Sequence, residues 1–282
     1  MSSLDLFVAR PGRISLRGLR HIDLTLVLAW AVIAIVAAWA VAPGLFTPHS
    51  GTIGIAGNQL KAPDAAHWLG TDEIGRDVLA RIIYGSVNSL SGAIVAVAVG
   101  LFGGTALGLF AGAIGGKVDD IIMRLVDVML SIPGLLLQLS IIILLGFGTI
   151  NVAAAVGVTT VASFARLMRS EVIRVRRADY VEAAFGSGGR FSAVLWRHVL
   201  PNSLGTIISY AALQFGTAIL AISTLGFLGY GAPPPIPEWG LLISEGRKYL
   251  TSAWWLTAFP GLAVILVVLA ANRISQSLRR TS

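Results

Sequence analysis

Few side chains in this sequence are of a type that does chemistry, and most stand where they cannot do it alone. Asp119, Asp120, Arg124 and Asp127 open an apolar run. Carboxylates there would suit an ion or proton relay, because an ionisable group inside a membrane segment is costly and is kept for function. They lie near the end of the run, however, where they can reach headgroups or pair, as Asp127 can with Arg124 three residues earlier. Gly116-Lys117 comes nearest to a phosphate-binding loop, but Ala111 replaces its first glycine and Val118 the Ser or Thr that would hold magnesium. The four histidines are scattered at 21, 49, 67 and 198, cysteine is absent, and neither an HExxH pair nor a nucleophile elbow occurs. The spacing predicts no metal site and no catalytic centre in this chain.

A different kind of chemistry, docking, is written in the segment 169–203. Arg174, Arg176 and Arg177 precede Ala178-Asp179-Tyr180-Val181-Glu182-Ala183-Ala184-Phe185, and Gly186, Gly188 and Gly189 follow. Glycine is unfavourable inside a helix and permits turns, so the pattern predicts helix, turn, helix. The second short helix, Phe191–Val199, is expected to stop near Pro201. Small alanines allow close approach of a partner, Tyr180 and Phe185 are candidate anchors, and the arginines suit acidic groups. On the residues alone, a docking helix and a plain connector stand equal.

These elements must be carried by a membrane bundle. Of the 282 residues, 55% are apolar and 12% charged, against about 25% charged in soluble domains. Six runs are long enough for the ~20 residues that cross a bilayer: Leu24–Ala42, Asn88–Ile114, Ile121–Phe147, Asn151–Met168, Leu204–Leu228 and Trp254–Ala271. The first, of 19 residues, exceeds the roughly 7–15 of a cleavable signal core and reads as a retained helix. An all-α, polytopic bundle of six transmembrane helices follows. Pro133-Gly134 interrupts the third span and predicts a bend.

Six spans put both termini on one side. Five of the 21 Lys and Arg (Lys61, Arg76, Arg81, Arg247 and Lys248) then share a side, and the other 16 lie opposite. The positive-inside rule makes the richer side cytoplasmic. The same rule accounts for the +7 net charge through basic residues flanking spans, so no nucleic-acid partner is expected. The expected organisation is a cytoplasmic segment 1–23, a first helix 24–42, an outer segment 43–87, a core 88–275 containing the loop 169–203, and a cytoplasmic tail 276–282. Gly100, Gly104, Gly108 and Gly112 continue a stripe from Gly92 and Ala96 at a spacing of four, the pattern by which membrane helices approach closely. Gln138 and Asn151 are candidate polar groups lining a pathway, with interhelical hydrogen bonding as the plainer role.

Glu182-Ala183-Ala184, then Gly188, then Leu200-Pro201 resembles the EAA loop of binding-protein-dependent ABC importer permeases. His198 departs from that pattern, which prefers an aliphatic residue, and Val199 stands next to it. The run from His67-Trp68-Leu69-Gly70-Thr71-Asp72 to Arg76-Asp77-Val78-Leu79-Ala80-Arg81 is similar to the segment before the second span in dipeptide, oligopeptide and nickel permeases of the C-subunit type. So are Phe227-Leu228-Gly229-Tyr230-Gly231, Pro233-Pro234 and Pro237-Glu238-Trp239-Gly240.

The resemblance covers about residues 67–275. It implies a MetI-like permease fold in a bacterial inner membrane, importing peptides or a related small solute. It also implies an ATPase-coupling surface at Tyr180, Glu182, Ala183, Ala184, Phe185, Gly188 and Arg190. The implied partners are a second, B-type permease, two ATP-binding subunits that carry ATP and magnesium, and a periplasmic or lipid-anchored substrate-binding protein. No cofactor is implied in this chain, which would not itself be an enzyme. The competing class is a gradient-driven secondary transporter or channel, which would want ionisable or unwound elements at mid-membrane.

Overall fold

The computed structural model describes residues 23–279, and among them the protein is helical, with one isolated antiparallel bridge between Thr71 and Asp77. The N-terminal arginines, His21 and the tail from Arg280 lie outside the described residues.

Helix α1 (Leu24–Val41) is capped by Asp23 and is apolar on every side, as a helix surrounded by lipid must be. Its first turn meets the last turns of α10 (Trp255–Arg279), where the Arg273 guanidinium donates to Asp23 and to Thr25 Oγ1. The start of the first span and the end of the last therefore lie together.

Five helices are long and apolar enough to cross a membrane: α1, α2 (Val78–Ile114), α5 (Thr149–Arg176), the helix ending in α8 (Leu200–Phe227), and α10. The third expected span, Ile121–Phe147, is not one rod. It is divided into α3 (Gly116–Ser131) and α4 (Gly134–Leu145), bent by 97° at Ile132-Pro133. Proline's ring bars the preceding residue from helical geometry, and Ile132 is accordingly extended at φ −88°, ψ 131°.

Three further boundaries differ from the sequence reading. Helix α2 begins at Val78 rather than Asn88, because Asp77 accepts the Ala80 N–H at 2.7 Å and starts the helix within the segment 43–87. Helix α5 runs on to Arg176, beyond the apolar run. Pro201 stops nothing: α7 (Phe191–Val194) continues through a π-type turn, Leu195–Val199, straight into α8. In that turn the Leu200 N–H reaches back five residues to Leu195 O. The widened turn accommodates a ring that an α-helix would exclude. Asn202 Nδ2 and Ser203 Oγ donate to His198 O and Val199 O, at 2.6 and 2.9 Å.

The core is the packing of α2 on α5. A Cβ at Gly100 would stand 2.1 Å from Thr160 Oγ1, at Gly104 2.4 Å from Phe164 Cβ, at Gly108 2.3 Å from Ala165 O, and at Gly112 2.9 Å from Val172 Cβ. The stripe thus places two backbones in contact, the means of association available where water supplies no hydrophobic drive. Helices α8 and α10 close over this pair, with Ile219, Ile222, Leu225, Val264 and Val267 buried against Leu90, Ala93 and Val152.

The Asp127–Arg124 pair expected from sequence is absent. Asp127 instead accepts from Arg166 of α5 at 2.5 Å, and Asp119 takes a two-toothed bond from Arg169, since α3 lies across α5.

At the end of α2 where it begins, two tryptophans fasten the non-helical segments. Trp239 donates from Nε1 to Ile82 O at 2.9 Å and Trp255 to Thr71 O at 3.3 Å. Glu238 caps α9 (Trp239–Gly246) by accepting from the N–H groups of Gly240 and Leu241. Burial pushes its carboxyl up to about 7, against the opposing pull of those two donors.

Candidate functional site

At the other end of α2, the chain leaves α5 and turns back into α8 through 177–199. Two residues, Arg177 and Ala178, separate α5 from α6 (Asp179–Gly186). Ala178 is extended, and Asp179 and Glu182 fall in the first helical turn, where carboxylates complement the positive end of the helix.

The end of α6 is specified by glycine. Gly188 adopts φ +85°, its N–H donates to Phe185 O, and the Gly189 N–H donates to Ala184 O, both at 3.0 Å. This paired closure satisfies carbonyls that the helix end would otherwise leave bare. Gly189 is needed for space, because a Cβ there would stand 2.6 Å from Ala184 O and 2.9 Å from Val194 Cγ2. Gly188→Ala is expected to lower stability by about 1–2 kcal/mol, the cost of a left-handed alanine. Gly186→Ala, at a helical position with nothing within 4 Å, should leave it unchanged or raised. Melting temperatures of the detergent-purified chain check both.

Val181 is fully buried, and Ala184 and Phe185 pack beside it on a cluster built from Leu109 of α2, Phe164, Met168 and Val172 of α5, Val194, Val199, and Ile207 of α8. The two expected anchors therefore divide: Phe185 is half-buried against the chain's own core, while Tyr180 remains 48% exposed. Glu182, Ala183, Gly188 and Arg190 are exposed. Val199 is buried in the same cluster and His198 is half-buried. Phe191 and Trp196, which the sequence reading left out, add exposed aromatic surface beside α6.

Arg176, grouped in the sequence with arginines suited to acidic groups on a partner, is instead turned onto the chain's own backbone. Its Nη1 donates to Gly112 O at 2.8 Å and Ala113 O at 2.6 Å, capping the carbonyl end of α2. The base of α6 is thereby tied to the helix at the centre of the bundle.

Gln138 Nε2 donates to Thr159 Oγ1 at 3.2 Å, bridging α4 and α5. Asn151 Nδ2 donates to Leu145 O and Gly146 O at 3.0 and 3.1 Å, closing the end of α4. Both amides are engaged in holding helices together.

Residues 104–281 match the family described as binding-protein-dependent transport system inner membrane component. The chain belongs to this family. Among its relatives, the dipeptide transport system permease protein DppC of Alkalihalophilus pseudofirmus is 45% identical over 222 residues, covering 79% of this chain and 73% of that one. The glutathione transport system permease protein GsiD of Pectobacterium atrosepticum is 40% identical, covering 78% and 73%. The probable D,D-dipeptide transport system permease protein DdpC of Escherichia coli is 38% identical, covering 93% and 87%.

The fold is that of a permease in the inward-facing MetNI methionine ABC transporter, with a TM-score of 0.56 at 19% identity over 71% of this chain and 97% of that one. An amino acid ABC transporter gives 0.57 at 14% identity, over 72% and 95%. This chain is thus a multi-pass ABC transporter permease, all-α and not itself an ATPase, which agrees with the MetI-like bundle expected from its sequence.

Proposed function

We propose that this permease is one of two that together form the pathway of an ATP-driven importer of di- or oligopeptides in a bacterial inner membrane, with α6 as the helix that docks into an ATPase subunit. The observation that carries this is the seating of α6. A short helix exposes Tyr180, Glu182 and Ala183, while its opposite side, through Val181 and Phe185, rests on residues of α2, α5 and α8 together. A push on the exposed side is delivered to three long helices at once. Exposed Arg174, Arg177 and Arg190 complement acidic groups on such a partner.

Peptides are the substrate class because relatives named for dipeptide and glutathione transport match most of the chain. The meeting of Asp23 and Arg273 supports placing both ends of the bundle on one side, which the basic residues make cytoplasmic. Helix α4 leaves Leu135, Leu136, Ile143, Leu144 and Leu145 uncovered, an apolar face for the second, B-type permease or for lipid. Two ATP-binding subunits carry the nucleotide and magnesium. A periplasmic or lipid-anchored binding protein delivers substrate to the side of 43–77 and 229–254. ATP-driven closure of the ATPases moves α6 and rocks the pair between inward- and outward-open states.

The test is Glu182→Lys in the assembled transporter in vesicles, with hydrolysis and peptide uptake measured together. Uptake is expected to fall about tenfold, as for loss of one strong docking contact, while hydrolysis persists. Undiminished uptake would overturn the assignment of α6.

A further inference from the structure

His49, His67 and Asp77 are separated by 18 and 10 positions in the sequence, and the fold gathers them between the end of α1 and the beginning of α2. Their ligating atoms all lie within 4.8 Å of one another. His67 Nδ1 stands 2.9 Å from Asp77 Oδ2, and the two imidazole rings lie 5.2 Å apart at 42°. We propose that these three residues bind one divalent transition-metal ion of the kind zinc represents.

The donors are right for such an ion. Imidazole nitrogen and carboxylate oxygen are zinc ligands, and two histidines with one carboxylate leave a further position for water. Ligands about 2.0–2.1 Å from a tetrahedral ion stand roughly 3.3 Å apart. The His67–Asp77 separation opens by a few tenths of an ångström to reach this, and His49 swings inward from a loop.

The surroundings hold the ligands in place, as outer partners of metal ligands do. Asp77 Oδ1 is occupied by the Ala80 N–H at 2.7 Å, which leaves Oδ2 aimed at His67. The backbone N–H of His67 donates to Asp64 at 2.6 Å, which fixes the loop that carries the ring. His67 and Asp77 are both buried. A cavity of about 220 Å³, lined by Phe46, Pro48, His49, Trp68, Asp77 and Leu79, adjoins them and gives an ion and its water a way in. Bound metal would pin the loop carrying His49 to the head of α2, stiffening the outer segment.

This proposal does not depend on the transported substrate or on α6. The test uses the whole transporter, purified without a histidine tag, stripped with chelator and titrated with Co²⁺ and then Zn²⁺. One Co²⁺ per chain with the visible bands of a tetrahedral site is expected, displaced by Zn²⁺. His49→Ala should weaken binding by at least about a hundredfold, since even outer partners of a ligand account for 10–100-fold. Among the described residues the His49 ring makes no hydrogen bond, so this variant should fold as the parent does; its melting temperature without metal checks that. Zinc should raise the melting temperature of the parent and not of His49→Ala. Absence of stoichiometric binding, or binding unchanged in His49→Ala, would overturn the assignment.

Discussion

Gly108→Val is expected to yield a chain that melts far below the parent or does not survive extraction into detergent. A single Cβ at 108 would stand 2.3 Å from Ala165 O and 2.7 Å from Met168 Cβ. The first of these is backbone, which cannot rotate away, so α5 itself must shift. Overpacking a well-filled core costs about 1–3 kcal/mol. A branched side chain against a carbonyl exceeds that, because separating α2 from α5 also loosens the neighbouring contacts of Gly104 and Gly112. Gly104→Val should behave in the same way, its Cβ meeting Phe164 Cβ at 2.4 Å and Val161 O at 2.5 Å.

The decisive comparison is Gly103→Ala, one residue from the stripe. There a Cβ meets only the Val161 side chain, at 3.3 Å from Cγ2 and 3.9 Å from Cγ1, with no backbone near it, and the helix gains from losing a glycine. Melting temperatures by fluorescence-detected size exclusion should separate 108 and 104 sharply from 103. Equal melting temperatures would mean that α2 and α5 do not meet along this stripe.

That stripe was legible in the sequence because period and residue type agreed, and its partner was not, since nothing in α2 names α5. The same division runs through the rest of the molecule. Spans were readable wherever apolar residues ran on without charge. The head of α2 was read as an outer segment because it carries Arg81, whose acidic partner Glu245 lies 164 residues away. Pro133 announced a bend but not its 97°. Pro201 announced an end that a π-type turn removes, and widened turns leave no mark in residue spacing.

In the segment 169–203, glycine and alanine positions located α6. Which aromatic faces outward was undetermined, because the rotation of a short helix is set by the surface beneath it. Val181 and Phe185 find that surface in a cluster that α5 and α7 share with α2 and α8. The gathering of His49, His67 and Asp77 was invisible for the same reason: loop closure, not periodicity, brings them together.

Arg81→Met is expected to destabilise the protein by about 3–5 kcal/mol, the usual consequence of removing one partner from a buried ion pair. The Arg81 side chain is 3% exposed, and its Nη1 donates to Asp72 Oδ2 at 2.9 Å and to Glu245 Oε2 at 2.8 Å. Arg76 shares Asp72 through Nε at 2.5 Å. Without Arg81, Asp72 keeps one guanidinium, but Glu245 retains only Arg76 at 3.7 Å. The uncompensated charge at Glu245 therefore decides the cost. Glu245→Gln in the Arg81→Met background should recover a large part of the loss, and the double-mutant cycle should give a coupling well above the 0.5 kcal/mol expected of independent sites.

Salt discriminates further. The Arg81–Asp72 pair, 3% exposed on each side, is little screened, so most of the effect of Arg81→Met should persist at high ionic strength. Arg166→Ala, by contrast, breaks a pair whose members are 56% and 65% exposed and should cost no more than about 1 kcal/mol, less still in salt. Limited proteolysis supplies the local readout. Arg81 ties the segment carrying Asp72 to α9, so cleavage within 51–76 should quicken in Arg81→Met and not in Arg166→Ala. Similar stability losses in the two variants would mean that the segment 51–76 is held by tryptophans alone, through Trp239 and Trp255, and that the charges merely accompany them.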